Sequence, residues 1–165
     1  MGIEYGFLIN IRKSKINKFI SFIEQNSTLK FSVHEYEGNI RFDAWDKSFN
    51  LIISDESKYK VGDRVITQFA SEDFGITLNT VLYFHMINND DINCATWVPR
   101  VISLLKTIMN NFNGDCILYS NGYDVPVFMR KEGNLINLIS NTKWKQSSLD
   151  IKLLDIPYTD MVIDN

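Results

Sequence analysis

The chain has 165 residues, 45% of them apolar or aromatic in the AVILMFWYC set, which describes one globular domain over residues 1–165 and excludes a disordered chain. The length is enough to bury a core without disulfides. Net charge is −3, from 17 basic and 20 acidic residues with no basic stripe, which argues against a nucleic-acid partner.

Residues 3–12 alternate enough for a first strand. Ser14 then stands where it caps a helix running to about Gln25, with Ile16, Phe19, Ile20 and Ile23 on one face. Residues 29–36 and 39–45 read as strands around the Glu37-Gly38-Asn39 turn, and 48–54 as another. The polar stretch 55–63 reads as a loop, 64–70 as a strand, and Ser71–Gly75 as a break. A long β-branched and aromatic strand is expected over 76–87.

Trp97, Val98, Val101, Ile102, Leu105, Ile108, Met109 and Phe112 mark the strongest amphipathic helix. Pro99 belongs in its first turn, which makes Thr96 the better N-cap, and Asn113-Gly114 is the expected left-handed stop. Residues 115–120 and 123–130 read as a hairpin with a type I′ turn at Asn121-Gly122. Pro126 removes a ladder donor and so indicates an edge or a bulge. Lys131–Asn134 turns into 135–140, and 149–156 reads as a last strand. Strand–helix–strand–strand recurs before residue 46 and after residue 76, each time with Glu-Gly-Asn, a faint echo of duplication. The expected class is α+β: one largely antiparallel sheet with two main amphipathic helices packed on it, ending in a β-meander.

Chemical motifs are sparse. His34 and His85, the only histidines, both fall in strands. Together with Cys94 and Cys116 they form no metal-ligand spacing, so no metal and no cofactor is expected. G-x-S-x-G, phosphate loops and dinucleotide fingerprints are absent. The acid pairs Glu72-Asp73 and Asp90-Asp91 read as solvated turn charges rather than a hydrolytic pair. Trp45 and Trp144 have basic neighbours, a pattern shared by lysines lying beside a packed indole. No apolar run reaches the roughly 20 residues of a membrane helix, and Met1–Tyr5 lacks the basic and apolar pattern of a signal peptide, so none is expected. The expected location is cytoplasmic, with both cysteines reduced.

Four stretches carry a family likeness: the Met-x-x-Glu-Tyr opening, Glu72-Asp73-Phe74-Gly75 followed by Ile76-Thr77-Leu78, the run Asn113–Gly122, and Val125–Leu135. This pattern resembles the SitI-type immunity proteins, where a Gly-Asp-(apolar)3-x-Asn-Gly hairpin and a basic-x-Gly turn close the chain. The likeness is densest over 72–83 and 113–139, while 27–70 and the tail after 145 match little. It implies a cytoplasmic protein that neutralises a cognate toxin delivered by sibling cells, as in contact-dependent inhibition, with no catalytic residues to carry over.

Immunity of that kind works by stoichiometric occlusion, and many toxins are nucleases with basic clefts. The expected contacts are therefore the loop acids Glu72, Asp73, Asp90, Asp91 and Asp124, with Tyr123 as an aromatic anchor. A sheet edge at the Pro126 strand that accepts a toxin strand is a second mode. The competing readings are a small hydrolase or transferase assembled from distant residues such as Asp43, His85 and Cys116, and a self-associating assembly module.

Overall fold

Glu4–Ile9 form the first strand, β1, and every residue after Glu4 in it is buried. A strand buried on both faces belongs at the centre of a sheet covered on both sides. The computed structural model, which describes residues 4–36, 39–55, 60–61, 64–86, 94–120, 125–140 and 149–164, places it there. A 3-10 turn (Lys13–Lys15) leads into α1 (Ile16–Asn26), then β2 (Phe31–Tyr36), β3 (Asn39–Trp45), β4 (Phe49–Asp55), β5 (Lys60–Val61), β6 (Arg64–Val65) and α2 (Ile66–Phe74). The chain continues through β7 (Thr80–Met86), α3 (Cys94–Asn111), β8 (Cys116–Ser120), β9 (Val125–Lys131), β10 (Asn134–Ser140), a 3-10 turn (Ile151–Leu154) and β11 (Thr159–Ile163).

Nine strands form one sheet in the order β11-β10-β9-β8-β1-β7-β4-β3-β2, and β5 and β6 form a separate ribbon. Neighbours are antiparallel except β10 and β11, which run parallel. The expected α+β class and the closing meander β8-β9-β10 are therefore present.

The two faces of the sheet are covered unequally. On the first, α1 and α3 pack over Phe7, Phe42, Leu51, Phe84, Leu118 and Phe128. Phe112 joins the two helices, edge-on to Phe19 at 4.9 Å and to Phe22 at 5.4 Å. Each fully buried side chain of this core, such as Phe7, Phe19, Phe84 or Phe128, contributes roughly 1.5–3 kcal/mol. On the second face, α2 and the segment after it cover Leu8, Val81, Ile117, Tyr119 and Met129. That cover lies over β1 and β7–β11. On the same face farther along the sheet the Trp45 side of β3 is open, with Arg41 and Trp45 exposed, whereas Asn50 and Ser54 of β4 are buried.

Several local expectations are corrected. Ser14 lies inside the first 3-10 turn, and α1 begins without a side-chain cap. The expected strand over 64–70 stops at Val65. Thr67 and Ala70 are buried and Phe74 half-buried, the i, i+3, i+7 face of a helix, so packing on the sheet overrides the β-branched run Val65-Ile66-Thr67. The helix passes through the expected break and stops at Gly75, whose φ of 66° suits glycine and whose N–H donates to the Ser71 carbonyl at 3.0 Å. β7 starts four residues later than expected, because Asn79 spends its side chain on Ile11. Pro99 lies inside α3 beyond the first turn, so Thr96 is helical and not the cap. Burial of Trp97, whose ring lies 5.6 Å from that of Tyr5, holds the turn that precedes the proline.

Asn113-Gly114 has no left-handed residue. The carbonyls at the end of α3 are met instead by the Arg130 guanidinium, which donates to Met109 (2.7 Å), Phe112 and Gly114 (2.9 Å). Ser120 pairs with Val125, and the expected turn at Asn121-Gly122 lies outside the described residues. The positive-φ pair of a type I′ turn appears one hairpin later, at Glu132 (51°) and Gly133 (81°) between paired Lys131 and Asn134. Pro126 marks a bulge, as one of its two expected roles: Tyr119 pairs with Pro126 and Leu118 with Phe128, leaving Val127 extra in an interior strand. Residues 151–154 are a 3-10 turn begun by Asp150, and the last strand follows Pro157 at Thr159–Ile163. The duplication echo also fails, since the first strand after α1 is a sheet edge whereas the first after α3 adjoins the central β1.

Candidate functional site

Strand alternation builds the open face. In β3, Phe42 and Ala44 point into the first core, so Arg41, Asp43 and Trp45 share the other side. Register sets His34 beside Arg41, Asp43 beside Ile52, and Trp45 beside Asn50. Asn50 in turn pairs with His85, and His85 with Glu4. Trp45, Asn50, His85 and Glu4 thus form one cross-strand row, with about 4.5–5.5 Å between directly opposed residues.

Trp45 is 66% exposed. The charges around it are paired: Arg41 Nε donates to Asp43 Oδ1 at 2.8 Å, and His34 Nε2 lies 3.6 Å from Asp43 Oδ2. His85 Nδ1 lies 3.1 Å from Glu4 Oε1, where a proton on Nδ1 donates to the carboxylate. Asn50 is 7% exposed, and its Oδ1 is buried with no hydrogen-bond partner. The face therefore offers a flat aromatic, the Arg41–Asp43 ion pair, the His85–Glu4 contact and one buried acceptor without a partner. That combination suits contact with another molecule: the charges can be covered without stranding one of them, and the indole supplies area.

Of the residues expected to bind a partner, Glu72 and Asp73 are exposed in the last turn of α2. Lys131 ties that helix end down by donating to the Phe74 carbonyl at 2.7 Å, at the end of the sheet opposite the Glu4 row. The two acids are therefore not part of the Trp45 face. Asp90, Asp91, Tyr123 and Asp124 lie outside the described residues, as does Trp144. The Pro126 strand is interior, so the sheet edges are β2 and β11. Trp45 was legible as half of an alternating pattern, Arg41-x-Asp43-x-Trp45 against buried Phe42 and Ala44, but the register that adds Asn50, His85 and Glu4 was not.

The alternative catalytic trio is not brought together. Asp43 and His85 are on the open face, whereas Cys116 is buried in the first core. Burial pushes the Cys116 thiol up to about 11 against the opposing pull of Arg130. Among the described residues are clefts of 350–430 Å³, and the acids lining them, Asp46 and Asp150, are engaged. Asp150 caps the second 3-10 turn. Asp46 accepts from the Ser48 N–H (3.0 Å), the Ser48 hydroxyl (2.8 Å) and Arg100 (2.5 Å). Burial raises the Asp46 carboxyl, but these three donors outweigh it and the net shift is downward. Among the described residues no group of three His, Cys, Asp or Glu side chains is placed to hold a metal ion, and no helix is long and apolar enough to cross a membrane. Compared with protein-family models, curated proteins and solved structures, the chain matches none of them.

Proposed function

We propose that this chain is a bacterial immunity protein of the cytoplasm, which binds a cognate toxin delivered by neighbouring cells and neutralises it by stoichiometric occlusion. The observation that carries the reading is Trp45, two-thirds exposed on β3 near one edge of the sheet. Trp and Arg are the residue types that dominate binding energy at interfaces. A Trp on a strand buries about 150–250 Å² on contact while losing little conformational freedom. The likeness of the 72–83 and 113–139 segments to SitI-type proteins supports the toxin as partner. The exposed acids Glu72 and Asp73 add a second, acidic contact point suited to a basic cleft.

The test is co-expression with the protein encoded immediately upstream, scored by growth and co-purification. Toxicity of the neighbour alone, rescued by this chain in a stable one-to-one complex, is the expected result. A harmless neighbour that does not co-purify would overturn the reading.

A further inference from the structure

We infer that the cleft between the start of α1 and the first residues of β3 and β7 binds a single-chain anionic amphiphile, with its acyl chain against Ile16, Ile40 and Phe42 and its carboxylate head at Lys13. The cleft has a volume of about 430 Å³, within the range of small-molecule pockets. Ile11 and Phe42, both nearly buried, form its floor, while half-buried Ile16 and exposed Ile40 stand at its rim. Ile40 lies on the side of β3 that carries Phe42 and Ala44, opposite to Trp45. The site is therefore separate from the proposed toxin contact and does not rest on it.

Two observations choose the occupant. One is what the lining leaves free. The Asn79 amide is spent on Ile11, and the Thr80 hydroxyl donates to Asn79 Oδ1 at 2.9 Å. That leaves the Lys13 ammonium and the Asn17 amide as donors with no partner among the described residues, and no described acid lines the cleft. An apolar ligand here is matched by an acceptor at one end. The other observation is charge. Arg12, Lys13, Lys15 and Lys18 are all exposed, and none forms an ion pair among the described residues. No acid occurs between Glu4 and Glu24, so this corner is locally positive in a chain of net charge −3 and draws an anion. A neutral hydrocarbon leaves the cations unused, and an inorganic anion leaves the apolar walls wet. A carboxylate on an acyl chain satisfies both. The cleft is concave, which suits one chain taken from solution, whereas docking on a bilayer calls for an apolar face that sinks into it.

The experiment titrates the isoleucine-methyl-labelled full chain with hexanoate, octanoate and decanoate, each below its micelle concentration. Decyltrimethylammonium, the same chain with a cationic head, is run in parallel. Nuclear magnetic resonance follows the methyls of Ile11, Ile16 and Ile40, with those of buried Ile108 and Ile117 as reference. The expected result is saturable shifts confined to the cleft, with binding that tightens roughly 10-fold for each added pair of methylenes. The cationic probe should bind at least about 5-fold more weakly than decanoate, the factor that roughly 1 kcal/mol from one exposed ion pair supplies. Lys13→Glu should erase that preference, and Ile40→Glu, at an exposed position, should abolish decanoate binding with the fold retained. Shifts spread over the reference methyls, equal binding of the two heads, or affinity that ignores chain length would overturn the inference. So would a chain that co-sediments with phosphatidylglycerol vesicles yet gives no response to decanoate, which assigns the cations to a membrane surface instead. Because the cleft and Trp45 lie on opposite sides of β3, the outcome is independent of whether a toxin partner is found.

Discussion

Asn79 clasps Ile11 by both ends of its amide: the Ile11 N–H donates to Oδ1 at 2.9 Å, and Nδ2 donates to the Ile11 carbonyl at 3.0 Å. The side chain thus acts as one more rung of sheet beyond the end of β1, and the Thr80 hydroxyl steadies it by donating to the same Oδ1 at 2.9 Å. Asn79→Ala should lower stability by about 2–3 kcal/mol, from two lost bonds with partly buried partners. Asn79→Asp, which keeps the acceptor alone, should lose roughly half as much. Urea unfolding measures both, and wild-type midpoints for both variants would contradict the clasp.

Arg130 performs from β9 the task that a left-handed residue was expected to perform at Asn113-Gly114. Three carbonyls at and beyond the end of α3 converge on one guanidinium, so its loss exposes several acceptors at once. Arg130→Met should cost about 2–3 kcal/mol, given roughly 1.5–3 kcal/mol for a bond to a charged donor and a discount for partial exposure. Lysine cannot fork to three acceptors, so Arg130→Lys should recover less than half. Guanidinium chloride unfolding of the two variants is the check.

Cys116 gives the protein an alkaline sensitivity of known sign. Burial raises its folded pKa to about 11 from the ordinary 9.0. The folded state holds the thiol proton more tightly, so this stabilisation is complete below pH 9 and is lost as pH rises through 11. The whole loss is on the order of 2–3 kcal/mol. Subtracting the pH–stability curve of Cys116→Val from that of the wild type removes the tyrosines and lysines that titrate in the same range. The difference should fall between pH 9 and 11, and a flat difference would contradict the burial.

Asp46 acts at the other end of the scale. Its folded carboxyl titrates below the ordinary 3.8, because its hydrogen bonds and Arg100 outweigh burial. The stabilisation is present above 3.8 and is lost as pH falls through the lowered folded pKa. Thermal unfolding of Asp46→Asn should therefore be less acid-sensitive than that of the wild type below that pH. An identical acid slope would contradict the clamp between the β3–β4 turn and α3.

Period and turn chemistry made much of the fold legible. The two-residue alternation of 39–45 and 49–54, the helical spacing of 16–23 and 97–112, and the meander all stand at their expected places. Proline at 126 announced its bulge. The misreadings occurred where distant residues decide. Val65-Ile66-Thr67 has strand chemistry, yet Ala70 and Phe74 find the sheet as a helix. Arg130 replaces a local cap from a strand about 20 residues away. The open face failed to show for the same reason: its polar and aromatic residues come from β1, β3, β4 and β7, and only the register brings Glu4 to His85 and Trp45 to Asn50. Chain-local acid pairs such as Glu72-Asp73 were visible, but proximity in sequence did not place them on that face.

Trp45 is the anchor of the proposed interface. Its indole is 66% exposed, so Trp45→Ala should leave the unfolding midpoint within about 0.5 kcal/mol of wild type. As the anchor of the proposed interface it should weaken the complex with the upstream-encoded toxin by about 2 kcal/mol or more, roughly 30-fold. Isothermal titration calorimetry of the folded variant and the wild type against that toxin is the deciding measurement. A one-to-one wild-type complex, weakened about 30-fold or more by the substitution, is the predicted result. Unchanged affinity in Trp45→Ala would contradict the claim that the partner binds at the exposed Trp45 of β3.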